Sequence, residues 1–140
     1  MKIVVCSREK VDDTLFSLSG TKALISITNV TFDESWPVIT EVDLCLGVLG
    51  IRFPDKEDCP ITVEEAKLIV MFAEAFKNVN YLIINCPAGL SRSAAVGSAL
   101  ASLYFGDKTK YISTSPIPSI PNRSVFNAVS REGRDIIQFE

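Results

Sequence analysis

The chain has 140 residues, a length typical of one domain, and we expect residues 1–140 to form a single one. Apolar residues make up 47% of the sequence and charged residues 22%, so the chain can bury a sizeable core and is not expected to be disordered. The net charge of −3 at pH 7 argues against a general nucleic-acid binder, because such a protein needs a basic face against the phosphate backbone.

The absence of histidine and the spacing of the cysteines exclude several kinds of site. Without histidine the chain can form neither a Ser-His-Asp nor a Cys-His catalytic pair, nor a His-ligated zinc site. None of the four cysteines belongs to a CxxC pair, which argues against structural zinc and against a thioredoxin-like redox site. The sequence shows neither a secretory signal nor an apolar run of roughly 20 residues, so we expect a cytoplasmic protein with reduced thiols and no membrane partner.

Apolar periodicity and turn residues predict strands that alternate with helices. The predicted elements are, in order, a strand over residues 1–6, a short helix over 10–19, strands over 22–28 and 43–53, a helix over 62–77, a strand over 81–85, a helix over 91–105 and a short last helix from about residue 122. Thr62 and Glu65 fit a capping box, and Asn122 fits an N-cap. This order favours an α/β three-layer sandwich with a mostly parallel sheet, which binds ligands beyond the carboxyl ends of its strands.

The residues after the strand at 81–85 carry the chemistry. They read Cys86-Pro87-Ala88-Gly89-Leu90-Ser91-Arg92-Ser93: a cysteine, a tight loop with a glycine, and an arginine at the mouth of a helix. Successive backbone N–H groups in such a loop, together with the positive end of the helix, make a site for an anion. Arg92 offers a planar fork of donors to two phosphate oxygens. The same positive groups favour the thiolate form of Cys86, which is a nucleophile.

The segment CPAGLSRS resembles the phosphate loop of the cysteine-based protein tyrosine phosphatase superfamily, whose small dual-specificity-like branch usually reads HCxxGxSRS. The order of elements over residues 1–105, with the segments KALISIT and IRFPD, is similar to small bacterial and phage members. The resemblance implies a phosphatase without metal or cofactor. It implies that the substrate is phosphotyrosine or phosphoserine/threonine in a protein, or a small phosphate monoester, and we expect a monomer.

The resemblance also implies a role for each matching position. Cys86 would attack phosphorus and form a phosphocysteine, Arg92 would bind the phosphate and the transition state, and Ser93 would help the thiolate to leave. The loop residues that would surround the phosphate are Pro87, Ala88, Gly89, Leu90 and Ser91. The general acid is expected in a loop roughly 30 residues before the cysteine, where we favour Asp55 and keep Asp58 as the alternative.

Two positions depart from the family pattern. Asn85 stands where the family usually has a histidine that supports the loop, and an amide cannot carry charge. Pro87 has no backbone N–H, so one possible donor to the phosphate is missing. Because nucleophile, arginine and acid remain, we expect turnover. The alternatives are a catalytically weak or inactive phosphate-binding module of the same fold, and, less favoured, an arsenate-reductase-like enzyme with Cys59 as a relay thiol.

Overall fold

The computed structural model describes residues 1–29, 38–56 and 61–137. The strands in these ranges are β1 (Lys2–Ser7), β2 (Lys22–Thr28), β3 (Gly47–Arg52), β4 (Tyr81–Cys86) and β5 (Ile112–Ser113). The helices are α1 (Val11–Ser17), α2 (Val63–Ala75), α3 (Arg92–Phe105) and α4 (Arg123–Ile137). The strands form one sheet in the order β3-β2-β4-β1-β5, and every pair in it is parallel.

The sheet is covered on both faces, which makes three layers. On one face Leu24 and Ile83 pack against Leu15 of α1. On the other face Ile25 and Ile84 belong to a larger core that α2, α3 and α4 cover. Strands buried on both faces explain why the sequence shows continuous apolar runs instead of alternation. The predicted α/β sandwich is confirmed.

Most predicted elements are present close to their predicted bounds. α2 begins with the predicted capping box, because Thr62 Oγ1 accepts the Glu65 N–H and the Glu65 carboxylate accepts the Thr62 N–H. Asn122 caps α4, since its Oδ1 accepts the Val125 N–H at 3.2 Å. None of the described helices is long and apolar enough to cross a membrane.

Three predictions about elements were wrong. β3 is shorter than the predicted 43–53, because a 3-10 turn occupies Val42–Leu44. β5 lies in a segment predicted to be a loop, where Ile112 and Ser113 pair with Val4 and Val5 of β1. The last helix is not short: α4 has 15 residues and packs against α2 and α3.

The centre of the sheet leaves a crevice. β1 and β4 are neighbours, but β1 continues through α1 to β2 on one side and β4 continues through α3 to β5 on the other. Neighbouring parallel strands whose connections diverge leave an opening beyond their carboxyl ends, and α/β proteins bind ligands there. Ser7 of β1 is in register with Cys86 of β4, so Cys86 lies at this opening.

Candidate active site

Cys86 forms the floor of the loop that joins β4 to α3. Its side chain is buried, with 2% of its surface exposed. The Sγ atom accepts the Gly89 N–H at 3.2 Å and lies 3.1 Å from Ser93 Oγ. A backbone N–H and a hydroxyl therefore face the sulfur, and both can stabilise negative charge on it.

Several carbonyl groups of this loop point outward. Three of them accept N–H donors from other segments: Arg8 N–H to Pro87 O at 3.4 Å, Ile120 N–H to Leu90 O at 2.9 Å, and Asn122 N–H to Ser91 O at 3.2 Å. A trans peptide holds its N–H opposite its C=O, so the N–H group that follows each of these carbonyls points toward the loop interior. Converging N–H groups of this kind make a concavity that binds anions.

Gly89 lets the loop lie against the end of β1. Its φ is +72°, a conformation that side chains rarely adopt. A Cβ atom there would lie 2.6 Å from Ser7 N and 2.7 Å from the carbonyl carbon of Cys6. Both the backbone conformation and the close approach therefore require glycine at this position.

Arg92 is the first residue of α3, and its side chain is only 5% exposed. Its Nη1 donates to Phe53 O at 2.8 Å and to Thr28 O at 3.3 Å, which fixes the guanidinium from the β2 and β3 side. Its Nε is buried and has no hydrogen-bond partner among the described residues. A buried donor of this kind needs an acceptor, and a phosphate oxygen in the loop would fit that need.

Asp55 follows β3 and reaches the rim of the loop. Its Oδ1 accepts the Ser91 hydroxyl at 2.8 Å and the Asn122 side-chain amide, also at 2.8 Å. The Ser91 hydroxyl is thus engaged by Asp55, and it does not cap α3, although Ser91 occupies the N-cap position. The structure therefore joins Asp55 to Ser91 of the loop that carries Cys86 and Arg92, whereas Asp58 and Cys59 lie outside the described residues.

Asn122 has two roles in the structure, and the sequence predicted only one of them. The sequence predicted its role as an N-cap, but its amide also holds Asp55 from a position 67 residues away. Its side chain is 4% exposed, and its Oδ1 also accepts the Ser124 hydroxyl at 2.8 Å. No local signal could have shown the contact with Asp55, because the tertiary fold alone brings the two residues together.

Within the described residues, the side chain of Asn85 makes no hydrogen bond to the loop. It is fully buried, and neither its Oδ1 nor its Nδ2 has a partner in the described parts of the chain. Its neighbours in register are Cys6 of β1 and Ser26 of β2. The loop support that the resemblance associates with the family's histidine is therefore not supplied by this amide.

Cys6 is a fully buried thiol of the core. Burial raises the pKa of Cys6 to about 12, against an opposing hydrogen bond with Thr14 and with a smaller contribution from nearby Cys86. Burial also raises the pKa of Cys45, which is half-buried. Both thiols therefore stay protonated at neutral pH.

Neither a protein-family model nor a curated protein sequence matches this chain. Solved structures do. Human DUSP28 matches with a TM-score of 0.63 at 13% identity, covering 99% of this chain and 95% of that one. PTPMT1 matches with a TM-score of 0.62 at 14% identity, covering 99% and 93%. Tk-PTP in its active form matches with a TM-score of 0.54 at 16% identity, covering 99% and 90%. The chain has the α/β fold of the cysteine-based tyrosine and dual-specificity phosphatases.

Proposed function

We propose that the protein is a metal-independent phosphatase that hydrolyses phosphate monoesters through a phosphocysteine, with phosphotyrosine or phosphoserine/threonine in proteins as the substrate class. One observation carries the proposal: a cysteine, a buried arginine and a carboxylate meet at one loop. Cys86 Sγ lies 3.2 Å from the Gly89 N–H, Arg92 is 5% exposed, and Asp55 is bonded to Ser91 of the same loop. The phosphatase fold is consistent with this assignment.

In the first step the Cys86 thiolate attacks phosphorus while the bond to the leaving oxygen breaks. The inward N–H groups and Arg92 stabilise the charge on the equatorial oxygens of the transition state. Asp55, in its protonated form, gives its proton to the leaving oxygen. The products of this step are the free alcohol or phenol and a phosphocysteine.

In the second step water hydrolyses the phosphocysteine. Asp55, now a carboxylate, accepts a proton from the water as the new oxygen–phosphorus bond forms. The sulfur–phosphorus bond breaks and returns the thiolate. Ser93 Oγ, 3.1 Å from Cys86 Sγ, stabilises the departing sulfur.

The test is the hydrolysis of para-nitrophenyl phosphate and phenyl phosphate from pH 5 to 8, in EDTA and reductant. Cys86→Ser should abolish turnover, and the matched control Cys45→Ser should retain it. Asp55→Asn should lower the rate on phenyl phosphate by about 10²-fold or more, the usual contribution of a positioned acid. The control Asp13→Asn removes an exposed carboxylate of α1 and should have no effect.

Two results would count against the proposal. Turnover that survives Cys86→Ser would mean that Cys86 is not the nucleophile. Turnover that EDTA removes would mean that the reaction requires a metal ion. Full activity in Asp55→Asn would transfer the acid role to Asp58, and Asp58→Asn would then show the loss.

The second candidate is a phosphate-binding module that turns substrate over slowly or not at all. The unpartnered amide of Asn85 favours it, because nothing in the described residues uses that side chain to hold the loop. Phosphate that binds in an Arg92-dependent way, without turnover at any pH, would identify this module.

The loop composition bears on the substrate class. PTPMT1, one of the structural neighbours, is known in complex with PI(5)P. The loop interior here, residues 87–91, contains no lysine to meet additional phosphates of such a headgroup. We therefore favour a phosphorylated side chain over a phosphoinositide.

A further inference from the structure

The segment over residues 114–121 presents two isoleucines beside the phosphate loop. Ile117 is 59% exposed and Ile120 is 78% exposed. Ile120 is held close to the loop, since its N–H donates to Leu90 O at 2.9 Å. The segment also contains three prolines, Pro116, Pro118 and Pro121, which restrict its backbone.

Two residues of the loop itself are also accessible beside Ile120. Leu90, within the loop, is itself half-exposed, and Ala88 is exposed. Asp55, which is bonded to Ser91 of the loop, and the following Lys56 are exposed as well. Exposed apolar groups that gather next to a binding site mark a surface that a ligand covers.

The position of the phosphate decides what would cover this surface. If the loop holds the phosphate, the rest of the substrate must leave through the loop opening and pass its rim. The groups attached next to the phosphorylated residue would then lie against Leu90 and Ile120. Apolar substrate groups would gain the most binding free energy there, because the contact removes both their own apolar surface and that of the protein from water.

Resting on the proposed function, we propose that Leu90, Ile117 and Ile120 form an apolar rim that selects phosphopeptides with a bulky apolar residue next to the phosphorylated residue. A peptide fits better than a membrane surface. Residues 111–122 contain no lysine or arginine, and the chain carries a net charge of −3, whereas attraction to anionic lipids needs clustered basic residues.

The test compares two phosphotyrosine peptides that differ only in the residues on either side of the phosphotyrosine, both leucine in one and both glycine in the other. Wild type should show about a tenfold higher kcat/KM for the leucine peptide, as expected for partial burial of one or two aliphatic side chains. Ile120→Thr, which keeps the branched Cβ but removes apolar surface, should reduce this ratio to about threefold, and the double variant Ile117→Thr/Ile120→Thr should bring it near one.

Ile112→Thr is the matched control. Ile112 is 52% exposed but lies on β5, where it pairs with Val4 of β1. This variant should keep the tenfold ratio. A ratio that falls equally in Ile112→Thr and Ile120→Thr would overturn the rim.

The affinities of the same two peptides for Cys86→Ser, measured by fluorescence polarisation, separate this inference from the proposed function. A leucine preference in binding, without turnover by wild type, would reject the phosphatase and keep the rim. Equal affinities for the two peptides, with normal turnover, would reject the rim and keep the phosphatase. Vesicles containing phosphatidylinositol 5-phosphate that are hydrolysed tenfold faster than either peptide would assign this surface to lipid and overturn the proposal.

Discussion

Gly89 and Gly106 share a backbone conformation but not an environment. Their φ angles are +72° and +71°. At either position, alanine in this conformation would lower the free energy of unfolding by about 1 kcal/mol. A Cβ at Gly89 would meet the backbone of Ser7 at 2.6 Å, whereas one at Gly106 would have nothing within 4 Å. Of the two variants, only Gly89→Ala must therefore displace the loop of residues 86–92.

The two variants should therefore differ in phosphate affinity. We expect Gly89→Ala to weaken inorganic phosphate binding at least tenfold, because the inward N–H groups move with the loop. Gly106→Ala should lower the free energy of unfolding by about 1 kcal/mol and leave phosphate binding intact. Urea unfolding and phosphate titration measure both quantities. Equal losses of affinity in the two variants would show that the contact with β1 does not shape the loop.

The residues of the candidate site differ in how far the sequence could predict them. Cys86, Gly89 and Arg92 lie within seven positions of one another, so a strand, a loop and a helix start are enough to place them together. Asp55 could be proposed only from the resemblance, and its contact with Asn122 joins residues 67 positions apart. A local sequence pattern can predict which residues lie together when they are close in the sequence. It carries no information on contacts that tertiary packing makes between distant residues.

The same distinction holds for secondary-structure elements. The long apolar runs and the capping box predicted β4, α2 and α3 well, because each pattern extends over several residues. β5 has two residues, too few for any periodicity, and it exists because β1 offers an edge for pairing. α4 has a weaker helical signal since it contains Gly133, whose missing side chain makes room for Leu103 of α3.

Asn122 links the start of α4 to the segment after β3 through its hydrogen bond with Asp55. This hydrogen bond can be tested separately from the N-cap that Asn122 also provides. Asn122→Ser keeps an N-cap oxygen but is too short to reach the Asp55 carboxylate. We expect the free energy of unfolding to fall by about 1 kcal/mol, from the lost hydrogen bond with Asp55 and not from the cap, because serine caps as well as asparagine.

Activity should respond to Asn122→Ser through the leaving group. Phenol leaves poorly and needs a positioned acid, so kcat on phenyl phosphate should fall about tenfold. Nitrophenol leaves readily, so the loss on para-nitrophenyl phosphate should be several-fold smaller. Asn122 would then be a positioning residue for Asp55. The same loss on both substrates would contradict this role and indicate a general disturbance of the loop.

At the scale of the whole molecule, the candidate site depends on the sheet order. The carboxyl ends of β4 and β1 place Cys86 and Gly89. The end of β2 and the residue after β3 supply the carbonyls that hold Arg92, and the residue before α4 holds Asp55. A ligand bound in the loop would therefore contact groups fixed by elements from both halves of the chain. Its binding should stabilise the fold as a whole, because unfolding any of these elements removes part of the site.

This dependence gives a prediction that does not require turnover. Inorganic phosphate at 100 times its dissociation constant should raise the free energy of unfolding of wild type by about 2.7 kcal/mol. In Arg92→Lys the same phosphate concentration should add much less, because an ammonium group lacks the planar fork that donates to the Phe53 carbonyl and would still have donors for a phosphate oxygen. The comparison uses the phosphate-induced increment in urea unfolding, since the variant also starts from a lower stability. Arg134→Lys, an exposed arginine near the end of α4, is the control and should keep the full increment. An increment of equal size in Arg92→Lys and wild type would mean that phosphate stabilises the protein from another place, and the loop would lose its assignment as the anion site.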